Sequence, residues 1–204
     1  MKNGKVVPII HIIGLPGAGK TTLAQRLSMT LKVPILCIGR HRARFPQTPI
    51  GEADAWTALF KELSRRRWKN CILETTGLNS REVFLRKALP FGQMFTIKLE
   101  ASRKTLSSRI KKKKKSDRGG KWLYGAEYHD KYEFVRKLFK SFCKIPADCY
   151  IDTNRLTKAA VYRRAFKEFL SRQYYTTEEL IAIDRLVEKE KRGCKVYRSI
   201  KKAK

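Results

Sequence analysis

Acidic residues are scarce in this chain: 18 Asp and Glu stand against 47 Lys and Arg in 204 residues, a formal net charge of +29. A surplus of that size draws polyanions from a distance, whether nucleic acid, nucleotides, phosphorylated metabolites or anionic lipid surfaces, and does not choose among them. Long hydrophobic runs are missing as well. No apolar stretch approaches the roughly 20 residues of a membrane-spanning helix. The apolar run at residues 6–13 is eight residues long and carries His11, which excludes the apolar region of a signal peptide. A soluble, cytoplasmic protein with no membrane partner is the expectation. The five cysteines (Cys37, Cys71, Cys143, Cys149 and Cys194) are odd in number and widely spaced, with no C-x-x-C pair or Cys/His cluster. That excludes a structural zinc site and a disulfide framework, and leaves reduced, partly buried thiols. No internal repeat is evident.

What the chain does contain is a phosphate-binding pattern. Gly14-Leu15-Pro16-Gly17-Ala18-Gly19-Lys20-Thr21 fits G-x-x-x-x-G-K-[ST], directly after an apolar run that reads as a buried strand. Glycines let the backbone curl and turn its N–H groups, those of Gly14, Gly17, Ala18 and Gly19 among them, toward a polyphosphate. The helix that follows adds the positive end of its dipole. Lys20 can then reach the β/γ-phosphates of a nucleoside triphosphate, and the Thr21 hydroxyl can ligate Mg²⁺. Leu23, Leu27 and Leu31 recur at helical spacing, as the pattern requires of the segment after the loop.

Strands and helices then alternate. Residues 33–38 read as a second strand, and Gly39 onward as a basic loop containing Arg40, Arg42 and Arg44. Ala55, Trp56, Leu59, Phe60 and Leu63 give a helical face. Residues 71–73 form a short buried strand delivering Glu74, and a helix with Val83, Phe84 and Leu85 follows. Residues 94–99 are a fourth strand, and Leu106 and Ile110 open a helix running into five lysines at 111–115 and then Gly119-Gly120. Tyr128, Tyr132, Val135, Leu138, Phe139 and Phe142 mark an amphipathic helix, residues 149–151 a fifth strand, and Val161, Ala165 and Phe169 a further helix. This order predicts an α/β fold: a parallel five-stranded sheet with helices on both faces and ligands at the carboxyl ends of the strands. Thr176-Thr177-Glu178-Glu179 fits a capping box ahead of Leu180, Ile183 and Val187, so an appended C-terminal helix and a basic tail at 195–204 are expected. The domain division is then 1–172 and 173–204.

With the motif and this order of elements, residues 5–170 resemble the small P-loop kinases: nucleoside monophosphate, gluconate, shikimate, adenylylsulfate and polynucleotide kinases and their relatives. Besides residues 14–21 and the adjoining Thr22, the resemblance rests on three segments. Leu73-Glu74-Thr75-Thr76-Gly77-Leu78-Asn79 looks like the acidic element after the third strand. Leu99-Glu100-Ala101 with Leu106 and Arg109 is similar to the fourth strand and lid helix, and Ile151-Asp152-Thr153-Asn154 to the segment beside the adenine. The resemblance implies ATP and Mg²⁺ as cofactors, with a lid at about 109–125. It also implies that Thr22, Arg118 and Asn154 join the nucleotide contacts, that Arg109 stabilises transferring charge, and that Glu74 lies near Mg²⁺ or accepts the acceptor's proton. Arg40, Arg42 and Arg44 fall where related kinases bind the acceptor, and planar guanidinium groups suit phosphate or carboxylate.

The chain also departs from the pattern. Many members carry Asp near the end of the second strand, where this chain reads Ile38-Gly39-Arg40-His41-Arg42-Ala43-Arg44. That arrangement is similar to the kinase half of bifunctional sugar-bisphosphate enzymes and favours an anionic acceptor. Other readings stand beside these. Glu74 can be an ordinary strand-end carboxylate, each arginine a structural residue and the lysine run a solvated loop. Trp56 fits core packing better than stacking on a base, and His11 fits the interior of a strand. The expected activity is transfer of the γ-phosphoryl group of ATP to a hydroxyl or phosphate of a small anionic acceptor. The alternatives are a polynucleotide 5′-hydroxyl kinase and a nucleic-acid-associated ATP-binding protein.

Overall fold

The computed structural model describes residues 7–79, 81, 94–112 and 131–172. Five strands form one sheet: β1 (Ile9–Gly14), β2 (Ile35–Cys37), β3 (Ile72–Glu74), β4 (Met94–Glu100) and β5 (Cys149–Asp152). Their order is β2-β3-β1-β4-β5, with every neighbouring pair parallel. The described helices are α1 (Lys20–Leu31), α2 (Ile38–Arg42), α3 (Pro49–Arg65), α4 (Arg103–Lys112), α5 (Lys131–Cys143) and α6 (Lys158–Arg172). Every residue of β1 is buried, as a central parallel strand covered on both faces requires. Successive β1 side chains point to opposite faces. Ile9 joins Leu36, Leu73 and the Trp56, Leu59 and Leu63 face of α3 in one apolar cluster. Trp56 is fully buried there, as its spacing with Leu59 and Leu63 predicts.

The α/β expectation therefore holds, with adjustments at element ends. The first strand begins only after Pro8, whose ring removes a ladder donor. The second is three residues long, and Ile38 already belongs to a helix. The segment expected to be a basic loop holds the short helix α2, closed by the Ala43 N–H donating to the Gly39 carbonyl at 3.2 Å. α3 starts ahead of its apolar face because Pro49 occupies the first helical position. A proline there loses no helical hydrogen bond, and Thr48 caps the turn by accepting from the Gly51 N–H at 3.1 Å. Ser102 does the same for α4, its hydroxyl accepting from the Thr105 N–H at 3.1 Å.

A buried cation in the middle of β4 had no periodic signal. Lys98 is fully buried; its ammonium donates to the carbonyls of Cys143 and Ile145, each at 3.0 Å, and lies 2.9 Å from Glu100 Oε1. The ring of Phe142 lies 4.9 Å away. Lys98 thus serves the last carbonyl of α5 and one just beyond it, where a helix end favours positive charge.

The helix expected around Val83, Phe84 and Leu85, the chain from Lys113 through Arg118, Gly119, Gly120 and Tyr128, and the appended helix and tail lie outside the described residues. The chain divides into two compact units, Met1–Ala165 and Phe166–Lys204, the division falling inside α6. No helix among the described residues is long and apolar enough to cross a membrane.

Candidate active site

Because all five strands are parallel, their carboxyl ends share one edge of the sheet. At the end of β1 the chain turns through residues 14–19 into α1. Two glycines make that turn feasible. Gly17 has φ +85°, and a Cβ there would meet the Leu106 carbonyl at 2.9 Å; Gly19 has φ +100° and sits at the N-cap of α1. No side chain caps α1, and its first turn holds no acidic residue. Its first amides and dipole are therefore unopposed by any carboxylate of the helix, which is the condition for holding an anion. Lys20 is largely buried at this turn, its ammonium 3.3 Å from the Leu15 carbonyl.

β3 lies directly beside β1, with Ile12 in register with Glu74. That register carries the buried Glu74 carboxylate to the first turn of α1, where Thr21 Oγ1 donates to Glu74 Oε1 at 2.7 Å. Thr22, the next residue, is half-buried on α1. Two hard oxygen donors so placed suit Mg²⁺, which takes few protein ligands and keeps its other positions for water and phosphate. No group of three or more His, Cys, Asp or Glu residues is arranged for a metal among the described residues. On the other side of β3, Cys37 is in register with Glu74. Burial raises the Cys37 thiol above its ordinary pKa, and the Glu74 charge adds to this against the amides of Gly39 and Arg40 and the charge of Lys20. The thiol therefore faces the same cluster of charges and is protonated at neutral pH.

Arg109 projects from α4 back to the loop. Its guanidinium donates to Thr153 Oγ1 at 2.9 Å, to the Thr153 carbonyl, and to the Gly17 carbonyl at 3.5 Å. It thereby joins the turn at residues 14–19 to the end of β5. Asn154 is one residue further on; its Oδ1 accepts from the Ser102 N–H at 2.9 Å, and its Nδ2 donates to Asp152 at 2.6 Å. Lys20, Thr21, Glu74, Arg109 and Asn154 thus lie along one edge of the sheet, while Arg118 falls outside the described residues.

The three arginines after β2 differ sharply. Arg40 and Arg44 are exposed. Arg42 is buried and pairs with Glu52 of α3 through two nitrogens, Nε at 2.7 Å and Nη2 at 2.5 Å. Glu52 also accepts from the indole Nε1 of Trp56 at 2.8 Å. Burial by itself would raise the Glu52 carboxyl, but the Arg42 hydrogen bonds and charge, with Trp56, outweigh it and hold the group below its ordinary range. His41, also buried, lies 3.4 Å from Glu62 of α3. Its pKa is lowered, chiefly by burial, with Glu62 opposing and Arg44 adding to the shift. α2 is in this way fastened to α3 from two consecutive positions.

Sequence reasoning missed Glu52, which lies ten residues from Arg42 across a turn, and Thr153 as the partner of Arg109; neither spacing has a periodicity to detect. In the sequence Cys37 reads as a strand residue with a reduced, partly buried thiol. Its place at the end of the strand next to the one carrying Glu74 was the available signal. His11 behaves as expected, fully buried with Nε2 2.7 Å from Thr75 Oγ1.

The sequence pattern of the AAA domain family matches residues 10–133, more than half of the chain, and the chain belongs to that family. Among solved structures, the fold is similar to shikimate kinase from Acinetobacter baumannii in complex with shikimate (TM-score 0.61, 19% identity, covering 83% of this chain and 96% of that one). It is similar also to a gluconokinase from Sinorhizobium meliloti 1021 (TM-score 0.54, 14% identity, 80% and 92% covered). Thymidylate kinase from Candida albicans is a third (TM-score 0.54, 17% identity, 83% and 93% covered). The fold is that of the P-loop kinases. A search of curated proteins found no match.

Proposed function

We propose that this chain is an ATP-dependent phosphotransferase acting on a small anionic acceptor. The observation that carries this reading is the 2.7 Å contact of Thr21 with Glu74 at the first turn of a helix that has neither a side-chain cap nor an acid of its own. Phosphoryl transfer demands little covalent chemistry from a protein; it demands positioning and charge neutralisation. In this reading the amides of Gly14, Gly17, Ala18 and Gly19 and the side chains of Lys20 and Thr22 hold the polyphosphate. Thr21 and Glu74 hold Mg²⁺, which when bound neutralises charge on the β- and γ-phosphates. Arg109 acts as a positioning residue, since its guanidinium ties α4 to Gly17 and Thr153. Asn154 and Arg118 complete the nucleotide contacts. Arg40 and Arg44 receive the acceptor, and Arg42 holds α2, which carries Arg40 and leads into Arg44, in place. A cytoplasmic setting, where ATP is abundant, belongs to the same reading.

The test is label transfer from [γ-³²P]ATP to a panel of nucleotides, sugars and sugar phosphates, alongside binding of a fluorescent ATP analogue. Labelled product that depends on Mg²⁺ and on Lys20 is expected; absence of nucleotide binding would overturn the reading. The net charge of +29 favours a second reading, a polynucleotide 5′-hydroxyl kinase. It predicts that 5′-hydroxyl oligonucleotides are labelled in preference to small acceptors, with affinity falling steeply as salt rises.

A further inference from the structure

α3 ends in a turn that helices most often give to glycine. The Trp68 N–H donates to the Leu63 carbonyl at 3.0 Å, and the Arg67 N–H to the Ser64 carbonyl at 2.8 Å. This pair of bonds closes a helix when the residue after the cap turns left-handed, and glycine, which has no Cβ to strain, fits there best. Arg67 holds that place, with φ +53°, and Trp68 follows at +55°. A cation near a helix end also suits the dipole, but Arg65 and Arg66 supply that with ordinary backbone. A guanidinium at 67 is therefore kept against the preference of the turn. Arg65, Arg66 and Arg67 are exposed, and Lys69 is half-buried. Arg66 also reaches Glu62 of its own helix at 3.6 Å. The pairing of β2 with β3 brings in a further cation. The Ile72 N–H donates to the Pro34 carbonyl at 2.9 Å, which sets the chain just after the exposed Lys32 beside the start of β3. Lys32, Arg65, Arg66, Arg67 and Lys69 thus gather where β2 and β3 begin. β3 runs from there to Glu74, so Thr21 and Glu74 lie at the other end of the strand.

We propose that this corner binds the sugar–phosphate backbone of a nucleic acid, as a partner and not as a substrate. Guanidinium groups pair with phosphate oxygens through two N–H groups at once. Three in succession at one turn, with two lysines beside them, match a polymer that repeats a phosphate along its length. The net charge of +29 draws such a polymer in. An anionic membrane would call for apolar side chains that enter it beside the cations. Trp68, the aromatic residue of this turn, is instead tied inward: its ring lies 6.2 Å from that of Phe60, and both pack against the cluster of Trp56, Leu59 and Leu63. The inference does not rest on the kinase reading, because the corner shares no residue with the phosphate loop or with α2.

The decisive variant is Arg67→Gly, since it improves the turn while removing the guanidinium. Full-length protein is titrated into fluorescein-labelled oligonucleotides of RNA and of DNA, single-stranded and duplex, across a salt series, and anisotropy is read. Wild type should bind, and the form bound tightest identifies the partner. Arg67→Gly should bind about fivefold more weakly, with a salt slope shallower by about 0.7 to 0.9, while its melting temperature equals or exceeds that of wild type. Arg65→Gln should weaken binding similarly, whereas Arg40→Gln, at the far end of the sheet, should leave it unchanged. The ATP analogue should not displace the oligonucleotide. Wild-type affinity in Arg67→Gly would overturn the inference, and so would a loss of affinity that comes with a lower melting temperature, which would make Arg67 a structural residue. Displacement by the ATP analogue would overturn it in favour of a polynucleotide substrate. Vesicles of phosphatidylserine and phosphatidylcholine form the last arm: binding to them that needs Arg67, with oligonucleotide binding that does not, would overturn it in favour of a membrane.

Discussion

Where β1 passes into α1, the turn is made by backbone: glycines with positive φ, an uncapped helix end and one lysine. Where β2 passes into α2, side chains hold the turn: Arg42 on Glu52, Glu52 on Trp56, His41 against Glu62. On the proposed reading, the difference matches what each end would bind. A polyphosphate is the same in every nucleotide, so a loop of amides and a helix dipole suffices. An acceptor is particular, and a five-residue helix has too few internal hydrogen bonds to present side chains to it unaided. The fasteners on α3 supply the missing rigidity. Damage to the first region should therefore cost activity before stability, and damage to the second should cost stability as well.

Lys20→Ala is expected to show the largest separation of the two quantities. Removing the ammonium from the β/γ-phosphates should lower kcat/KM by about 10³-fold or more. The melting temperature should stay within a few degrees of wild type, since the turn at residues 14–19 is shaped by its glycines. Circular dichroism melts beside the label-transfer assay read both. Glu74→Gln should follow, with kcat reduced about 10²-fold or more and a smaller change in nucleotide affinity. If a Mg²⁺ titration of that variant matches wild type, Glu74 is only the partner of Thr21.

Glu52→Ala tests the other region. It leaves the buried Arg42 guanidinium without its carboxylate and frees the Trp56 indole. Breaking a buried pair in this way costs about 3–5 kcal/mol, which for a chain of this size lowers the melting temperature by about 10 °C. Binding of the fluorescent ATP analogue below the melting range should survive. Acid should reproduce part of the loss in wild type. The folded-state pKa of Glu52 is depressed, so its contribution is present above the unfolded carboxyl value and disappears as pH falls through the folded one. The variant should lack that component of acid sensitivity.

Gly17→Ala bears on both regions at once, with a smaller effect. A Cβ at Gly17 would lie 2.9 Å from the Leu106 carbonyl of α4, in a backbone conformation that side chains avoid. A cost of about 1–2 kcal/mol is expected, together with weaker nucleotide binding as the loop moves away from α4. A variant with wild-type melting and affinity would show that the turn has more room than this geometry allows.

The same contrast explains what could be read from the residues. The alternation of strands and helices and the loop at 14–21 have signatures in pattern and spacing, and Glu74 follows from its place at the end of a strand. α2 does not: Gly39 and three arginines look like a loop, and only the pairing with α3 makes a helix of them. Pro49 looks like a break and is instead a helix start. Lys98 reads as a misplaced charge inside an apolar strand until the ends of α5 and β4 are seen together. In each case the deciding partner is distant in sequence and has no period.

The smallest effect concerns His41, the second fastener of α2. Burial lowers its pKa in the folded protein, with the Arg44 charge adding and Glu62 opposing. Above the unfolded value of about 6.5 both states hold a neutral imidazole, and the residue adds no pH dependence. As pH falls through that value the unfolded chain takes up a proton first, which favours unfolding until the folded pKa is reached and the loss levels off. Stability of the wild type should thus decline from pH 7.5 toward 5.5, before the carboxylates titrate. His41→Gln should flatten that part of the profile while leaving the acid limb of Glu52 in place. Melting curves in matched ionic strength across this range decide it. An unchanged slope in the variant would place the His41 ring in water rather than against α3.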